Sequence, residues 1–257
     1  MAQARSPLRT LFALLLPLLT GLALLALWVK IHEHWPLIFP SPQETKAALL
    51  DEYHKGNLAR DAKASLLRVG LGFGLGVVLG IPGGLCLGHL RWTREAFMPA
   101  LNFFRCLSPI VWIPFALTWF GLGDKPVIFI IFIATVFPLA LATMAAVAGI
   151  PTVYFRVAHD YGLRGVRLLT NVTLPAILPQ LITALRVTAG LAWLVMVAAE
   201  MISGNSGLGF TIWDARNGMM MDLMVATMLV IGAIGITIDR MLALLTRLPV
   251  VRWGYEN

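Results

Sequence analysis

Cysteine is nearly absent, tyrosine is rare and charge is scarce: 257 residues hold 2 Cys, 4 Tyr and only 13% Asp, Glu, Lys and Arg. The cysteines, Cys86 and Cys106, fall in or beside apolar segments, which excludes a disulfide-stapled scaffold. Soluble domains carry roughly 25% charged residues. A chain with 13%, set against 58% hydrophobic residues, cannot clothe a globule for water. Soluble enzymes, disordered chains and collagen-like repeats are excluded on that ground. Blocks of like charge and low-complexity tracts are also missing, so no disordered tail is expected. What is present is a series of long apolar runs and a mean hydropathy of +0.80. Runs of about 18 residues or more each suffice to carry a helix across a bilayer. The chain reads as an all-α, polytopic membrane protein.

Hydropathy gives six spans: Leu11–Val29, Leu66–Leu90, Phe103–Phe120, Pro126–Ile150, Ile177–Ile202 and Leu223–Leu245. The first exceeds the roughly 7–15 apolar residues of a signal-peptide core and is expected to stay as an anchor. The net charge of +7 is the mark of arginines retained on the cytoplasmic side, not of nucleic-acid binding. Arg5 and Arg9 precede the first span, and Arg91, Arg94 and Arg105 lie between the second and third. Arg156, Arg164 and Arg167 lie between the fourth and fifth, and Arg247 and Arg252 follow the sixth. The opposite short loops hold only Lys125 and Arg216, so both termini are expected in the cytoplasm of a cell inner membrane. In the long external Lys30–Ser65 loop, Ser41-Pro42-Gln43-Glu44 is a capping box with proline at the first helical position, and Gly56 is placed to end that helix. Leu49, Leu50 and Tyr53 share one face, so a short amphipathic helix along the outer surface is expected.

Gly72, Gly76, Gly80, Gly84 and Gly88 recur every fourth residue of the second span. Such a ridge lets another helix backbone come close, which in lipid replaces the hydrophobic drive with dispersion contacts. It is not a nucleotide loop, because no strand precedes it and it lies inside an apolar run. Pro82, Pro109, Pro114 and Pro138 are expected to bend or interrupt their helices.

The connection between the fourth and fifth spans is the most informative stretch. Pro151 can start a helix, Gly162 can end it in the left-handed conformation, and Val166, Leu169 and Val172 line one side of a second helix. Arg164 and Arg167 fall on its wet face. The segment Arg156-Val157-Ala158-His159-Asp160-Tyr161-Gly162, leading to Val172-Thr173-Leu174-Pro175, resembles the cytoplasmic EAA signature of binding-protein-dependent ABC importer permeases. The departures are Arg156 for the glutamate and Val157 for the first alanine. Phe39-Pro40-Ser41-Pro42, Trp119-Phe120-Gly121-Leu122-Gly123, Leu178-Pro179 through Leu185-Arg186, and Ala198-Ala199-Glu200-Met201 with Ser206-Gly207-Leu208-Gly209 resemble the nitrate, sulfonate and taurine branch of that family. The resemblance covers about residues 36–250.

The resemblance implies a type I importer permease fold of the MetI-like kind, with three units. These are an N-terminal anchor and external helix over 1–60, a permease domain over 61–246 holding a coupling loop at 151–175, and a cytoplasmic tail over 247–257. It implies a second permease subunit forming a homodimer, two separate ATPase subunits that bind ATP and magnesium, an external solute-binding protein and a surround of membrane lipid. It also implies a small anion as cargo, of the sulfonate, taurine or nitrate class. No GxxxxGK[ST] motif occurs in the chain, which agrees with ATP hydrolysis residing in a partner rather than here. Residues 156–175 are expected to couple the ATPase to the spans, with Ala158 giving close approach, Gly162 the turn and Pro175 the separation from the fifth span.

Ionisable and aromatic residues within spans are the candidates for a path. They are Arg105, Trp112, Arg186 and Glu200, with Arg105 and Arg186 the cations best placed to favour an anion. Each has a plainer reading: Arg186 as interfacial, Trp112 and Trp119 as packing or belt residues, Glu200 as a hydrogen-bonded anchor for the Gly204–Gly209 turn. His32 and His34 flank Glu33, and one short HxH without further ligands does not make a metal site. Three rival classes remain. An ion-gradient-driven carrier would show paired carboxylates within spans, an intramembrane enzyme would show His, Asp, Glu or Ser constellations there, and a purely structural subunit would leave the cytoplasmic helix pair without a reason.

Overall fold

The computed structural model describes residues 7–36, 38–89 and 91–247, with side chains placed from Leu15 onward apart from Pro17 and Arg91. Arg5, Leu90, Arg252 and the tail from 248 lie outside the described residues, as does the Arg9 side chain. In chain order the helices are α1 (Pro7–His34), α2 (Pro42–His54), α3 (Asn57–His89), α4 (Arg91–Cys106), α5 (Ile113–Phe120) and α6 (Asp124–Ala148). They continue as α7 (Thr152–Asp160), α8 (Gly165–Leu168), α9 (Leu174–Ser203), α10 (Leu208–Asn217) and α11 (Met221–Leu244). Short 3₁₀ turns occupy Pro109–Trp112 and Leu245–Arg247, and a π-turn occupies Leu169–Thr173. The described residues contain no strand.

Four helical stretches are long and apolar enough to cross a membrane: Asn57–His89, Asp124–Ala148, Gly165–Ser203 and Met221–Leu244. The pair Trp92–Cys106 and Pro109–Phe120 is long and apolar enough only when the two helices are taken together, and it is bent by 85°. The remaining apolar segment of the sequence is α1, a continuous 28-residue helix whose leucines from Leu15 to Leu27 are exposed.

The third span therefore differs from its expected form. Phe103–Phe120 is not one helix: α4 ends at Cys106, Leu107 and Ser108 break it, and Pro109 opens a 3₁₀ turn before α5. Pro109 has no N–H to continue the ladder and forces Ser108 out of helical geometry, with φ −59° and ψ 129°. Pro82 and Pro138, by contrast, sit inside unbroken helices. The external loop is also shorter than Lys30–Ser65. Gly56, at φ +77°, ends α2 and α3 begins at Asn57, so the alanine-rich Asn57–Ser65 stretch is helical. Within α2 the capping box forms: the Ser41 N–H donates to Glu44 at 2.7 Å and the Glu44 N–H to Ser41 Oγ at 3.2 Å.

The α6 helix is the axis of the fold, packed against α3 on one side and α9 on the other. Its Val127, Ile130, Ile131 and Leu139 are fully buried. The glycine ridge of α3 faces it. A Cβ at Gly80 would meet Val136 O at 2.8 Å, one at Gly84 would meet Ala140 O at 2.5 Å, and one at Gly76 would strike the Thr135 hydroxyl. Glycine is required there because backbone meets backbone. Gly70, Gly74 and Gly83, off the ridge, face open space.

Candidate coupling elbow and transport path

At one end of the bundle α7, its turn and α8 form an elbow that feeds directly into α9. Pro151 caps the start of α7 with φ −58°. At the other end Gly162 adopts φ +72°, its N–H donating to His159 O and the Leu163 N–H to Ala158 O, both at 2.9 Å. This paired closure uses two carbonyls that the helix end leaves free, and the left-handed turn needs glycine. Ala158 is the buried residue of α7. The other face is apolar and open: Val153, Tyr154 and Val157 are exposed and Tyr161 is 82% exposed. Arg156, His159, Asp160 and Arg164 are exposed around it. An open groove of about 750 Å³ runs beneath, lined by Tyr154, Val157, Tyr161, Pro175, Ala176 and Gln180 among others.

Two expectations for the elbow are corrected. The second helix is not a separate element: the four residues of α8 pass through a π-turn at Leu169–Thr173 straight into α9. Pro175 does not separate the elbow from the fifth span, because the helical stretch runs unbroken from Gly165 to Ser203. The proline sits in the first turn of α9, where its missing N–H costs little. The π-turn takes up the misfit, with the Leu174 N–H donating to Leu169 O across five residues.

The opposite end is fastened by a polar clasp. Glu200 of α9 is 0% exposed and accepts from Arg68 Nη1 at 2.5 Å, Ser65 Oγ at 2.8 Å and the Gly209 N–H at 3.0 Å. Arg68, also buried, donates further to Asp124 at 2.7 Å and to Ser206 O at 2.6 Å. Ser65 Oγ accepts from the Leu208 N–H at 3.0 Å. The clasp thus ties α3, the start of α6, the end of α9 and the start of α10. Glu200 is held in this clasp as the anchor of the Gly204–Gly209 turn. Gly207 and Gly209 have no room for a Cβ beside its carboxylate and side chain.

The other path candidates do not converge. Arg186 and Glu200 lie fourteen residues apart on α9, about 21 Å along the axis at 1.5 Å per residue. Arg186 is held by Asp239 of α11 at 3.0 and 3.2 Å, so it is a paired cation rather than a free one. Arg105 is exposed in the last turn of α4. Trp112 is half-buried in an aromatic cluster with Phe104, Phe115 and Phe129, and Phe104 stacks on Phe137 at 4.9 Å. Ser65, Arg68, Asp124, His89 and Thr173 were not singled out from the sequence. One signal was available for two of them: Ser65 and Arg68, with Asp61, continue the glycine face of α3 as a polar stripe.

Comparison with known proteins decides the family. Residues 72–248 match the model of the binding-protein-dependent transport system inner membrane component. The chain belongs to this family of ABC permeases. The permease is 36% identical over 217 residues to a putative ABC transporter permease of Methanocaldococcus jannaschii, covering 82% of this chain and 81% of that one. It is 34% identical to the bicarbonate transport system permease protein CmpB of Synechococcus elongatus, covering 91% of this chain and 88% of that one. It is also 34% identical to the nitrate import permease protein NrtB of Synechocystis, covering 73% and 68%. Its fold is that of an inward-facing MetNI methionine transporter structure, with TM-score 0.60 and 20% identity over 74% of this chain and 96% of that one.

Proposed function

We propose that the permease forms, with a second copy, the inward path for a small oxyanion handed over by an external binding protein, and that a cytoplasmic ATPase drives it through the elbow. The observation that carries the reading is the exposed apolar face of Val153, Tyr154, Val157 and Tyr161 on a capped helix that the Gly162 turn joins to the helical stretch Gly165–Ser203. Soluble faces seldom leave such side chains bare without a partner. In this reading Arg156 to Gly162 and Arg164 meet the ATPase, which holds ATP and magnesium, while Leu174 and Pro175 pass the displacement into α9. The elbow end and both termini lie in the cytoplasm of the inner membrane, in line with the arginines there.

Nitrate or bicarbonate is the leading cargo class, in keeping with the two named relatives; a sulfonate such as taurine is the further candidate from the sequence motifs. Trp112 Nε1 and Arg186 Nε are buried N–H groups without a hydrogen-bond partner in the chain, the donors an oxyanion on the path would take. The test is uptake into proteoliposomes holding the permease with its ATPase and binding protein. ATP-dependent accumulation of labelled nitrate or bicarbonate, suppressed by the unlabelled anion, is expected. Accumulation without ATP, driven by an ion gradient, would replace this reading with that of a secondary carrier.

A further inference from the structure

His89, the last residue of α3, is the point where three elements meet at the elbow end. Its Nδ1 lies 2.9 Å from Leu85 O, and a carbonyl only accepts, so Nδ1 donates. In the neutral ring Nε2 is then the acceptor, 3.1 Å from Thr173 Oγ1 of the π-turn. The ring edge also packs on Phe155 of α7, with centroids 6.2 Å apart at 71°. One imidazole therefore joins the end of α3 to both the first helix of the elbow and its junction with α9.

Thr173 marks the contact as unusual. Thr118, Thr135, Thr170, Thr183, Thr188, Thr227 and Thr237 all turn their hydroxyls back to the carbonyl four residues earlier in their own helix. For Thr173 that carbonyl is Leu169 O, which the π-turn gives to the Leu174 N–H. The fully buried Thr173 hydroxyl reaches across to His89 instead. Beyond His89, the glycine ridge locks α3 onto the α6 backbone, so a displacement delivered to the imidazole moves two spans together.

We propose that His89 is a positioning residue for transport: it passes the elbow's movement to the α3–α6 pair, while the helical continuity of Gly165–Ser203 passes it to α9. This rests on the transport reading above. The test uses the full complex of permease, ATPase and binding protein in proteoliposomes, and reads anion taken up per ATP hydrolysed. That ratio cancels any loss of assembled complex. His89→Phe keeps the ring against Phe155 and removes the bond; Thr173→Val removes it from the other side. Each is expected to lower the ratio about fivefold, the scale of one net hydrogen bond. The double variant is expected to fall no further than the worse single. His89→Gln, whose carbonyl accepts from Thr173, is expected to recover at least half of the loss. A wild-type ratio in either single variant, multiplied losses in the double, or no recovery with glutamine overturns the assignment. Failure of the transport reading shows separately, as wild-type complex that takes up no anion with ATP, and the joint falls with it.

Discussion

The guanidinium of Arg68 in α3 lies 2.5 Å from the fully buried carboxylate of Glu200 in α9, and the same guanidinium reaches Asp124 at the first turn of α6. A single side chain thus fastens the ends of three spans, and its partners are 132 and 56 residues distant in the chain.

Removing Arg68 leaves the buried Glu200 carboxylate without a counter-ion, which costs about 3–5 kcal/mol, whereas removing Glu200 leaves Arg68 its bond to Asp124 and costs less. Arg68→Met is expected to lower the midpoint of thermal unfolding in detergent by that equivalent, and Glu200→Leu to lower it by less. The double variant should lose less than the sum of the two. Additive losses in a double-mutant cycle would mean that the pair does not act as one unit.

Gly80 and Gly83 separate packing from propensity within one helix. Gly80→Ala places a methyl against Val136 O and Leu139 Cβ, and overpacking of this kind costs about 1–3 kcal/mol. Gly83→Ala faces open space and gains up to about 1 kcal/mol of helix propensity. Unfolding midpoints of the two variants are expected to move in opposite directions.

Gly162→Val forces a β-branched residue to φ +72°, at a cost of about 1–2 kcal/mol for the left-handed conformation. Gly162→Asn, which tolerates that region, should keep association with the ATPase, and the valine variant should weaken it. Co-purification yields of the two variants check this.

The Glu44 carboxylate accepts from the Ser41 N–H and hydroxyl pair of the capping box, and these bonds hold it below the usual glutamate range. A lowered folded value means that its contribution to the start of α2 is present above the ordinary glutamate pKa and is lost as pH falls through the folded one. The protection of the Glu44 and Thr45 amides against exchange, taken relative to their intrinsic rate at each pH, is expected to fall on acidification. In Glu44→Gln, which keeps the box without the charge, that pH step should disappear.

What could be read from the sequence is what neighbouring residues determine. The Ser41–Glu44 box, the fourfold glycine spacing on α3 and the Gly162 stop each lie within a few turns of one helix, so local sterics and hydrogen bonding specify them. The broken third span was half-legible: Pro109 marked an interruption, but nothing local shows that the two halves turn by 85°. Arg68 with Glu200, and His89 with Thr173, are pairs whose partners only tertiary packing brings together, so hydropathy could flag Glu200 but could not say whether it faced a path or a partner. Pro175 misled for a physical reason, since a proline in the first turn of a helix breaks nothing and the preceding π-turn absorbs the strain.

The central claim is that the α7 elbow is the face on which the ATPase bears. It is tested most directly by placing one cysteine at Tyr161 in a chain carrying Cys86→Ser and Cys106→Ser, and labelling inverted membrane vesicles with a membrane-impermeant maleimide. The account predicts rapid labelling of the permease alone and strong protection once its ATPase is bound. Labelling only from the opposite side of the membrane, or an unchanged rate with the ATPase present, would contradict it.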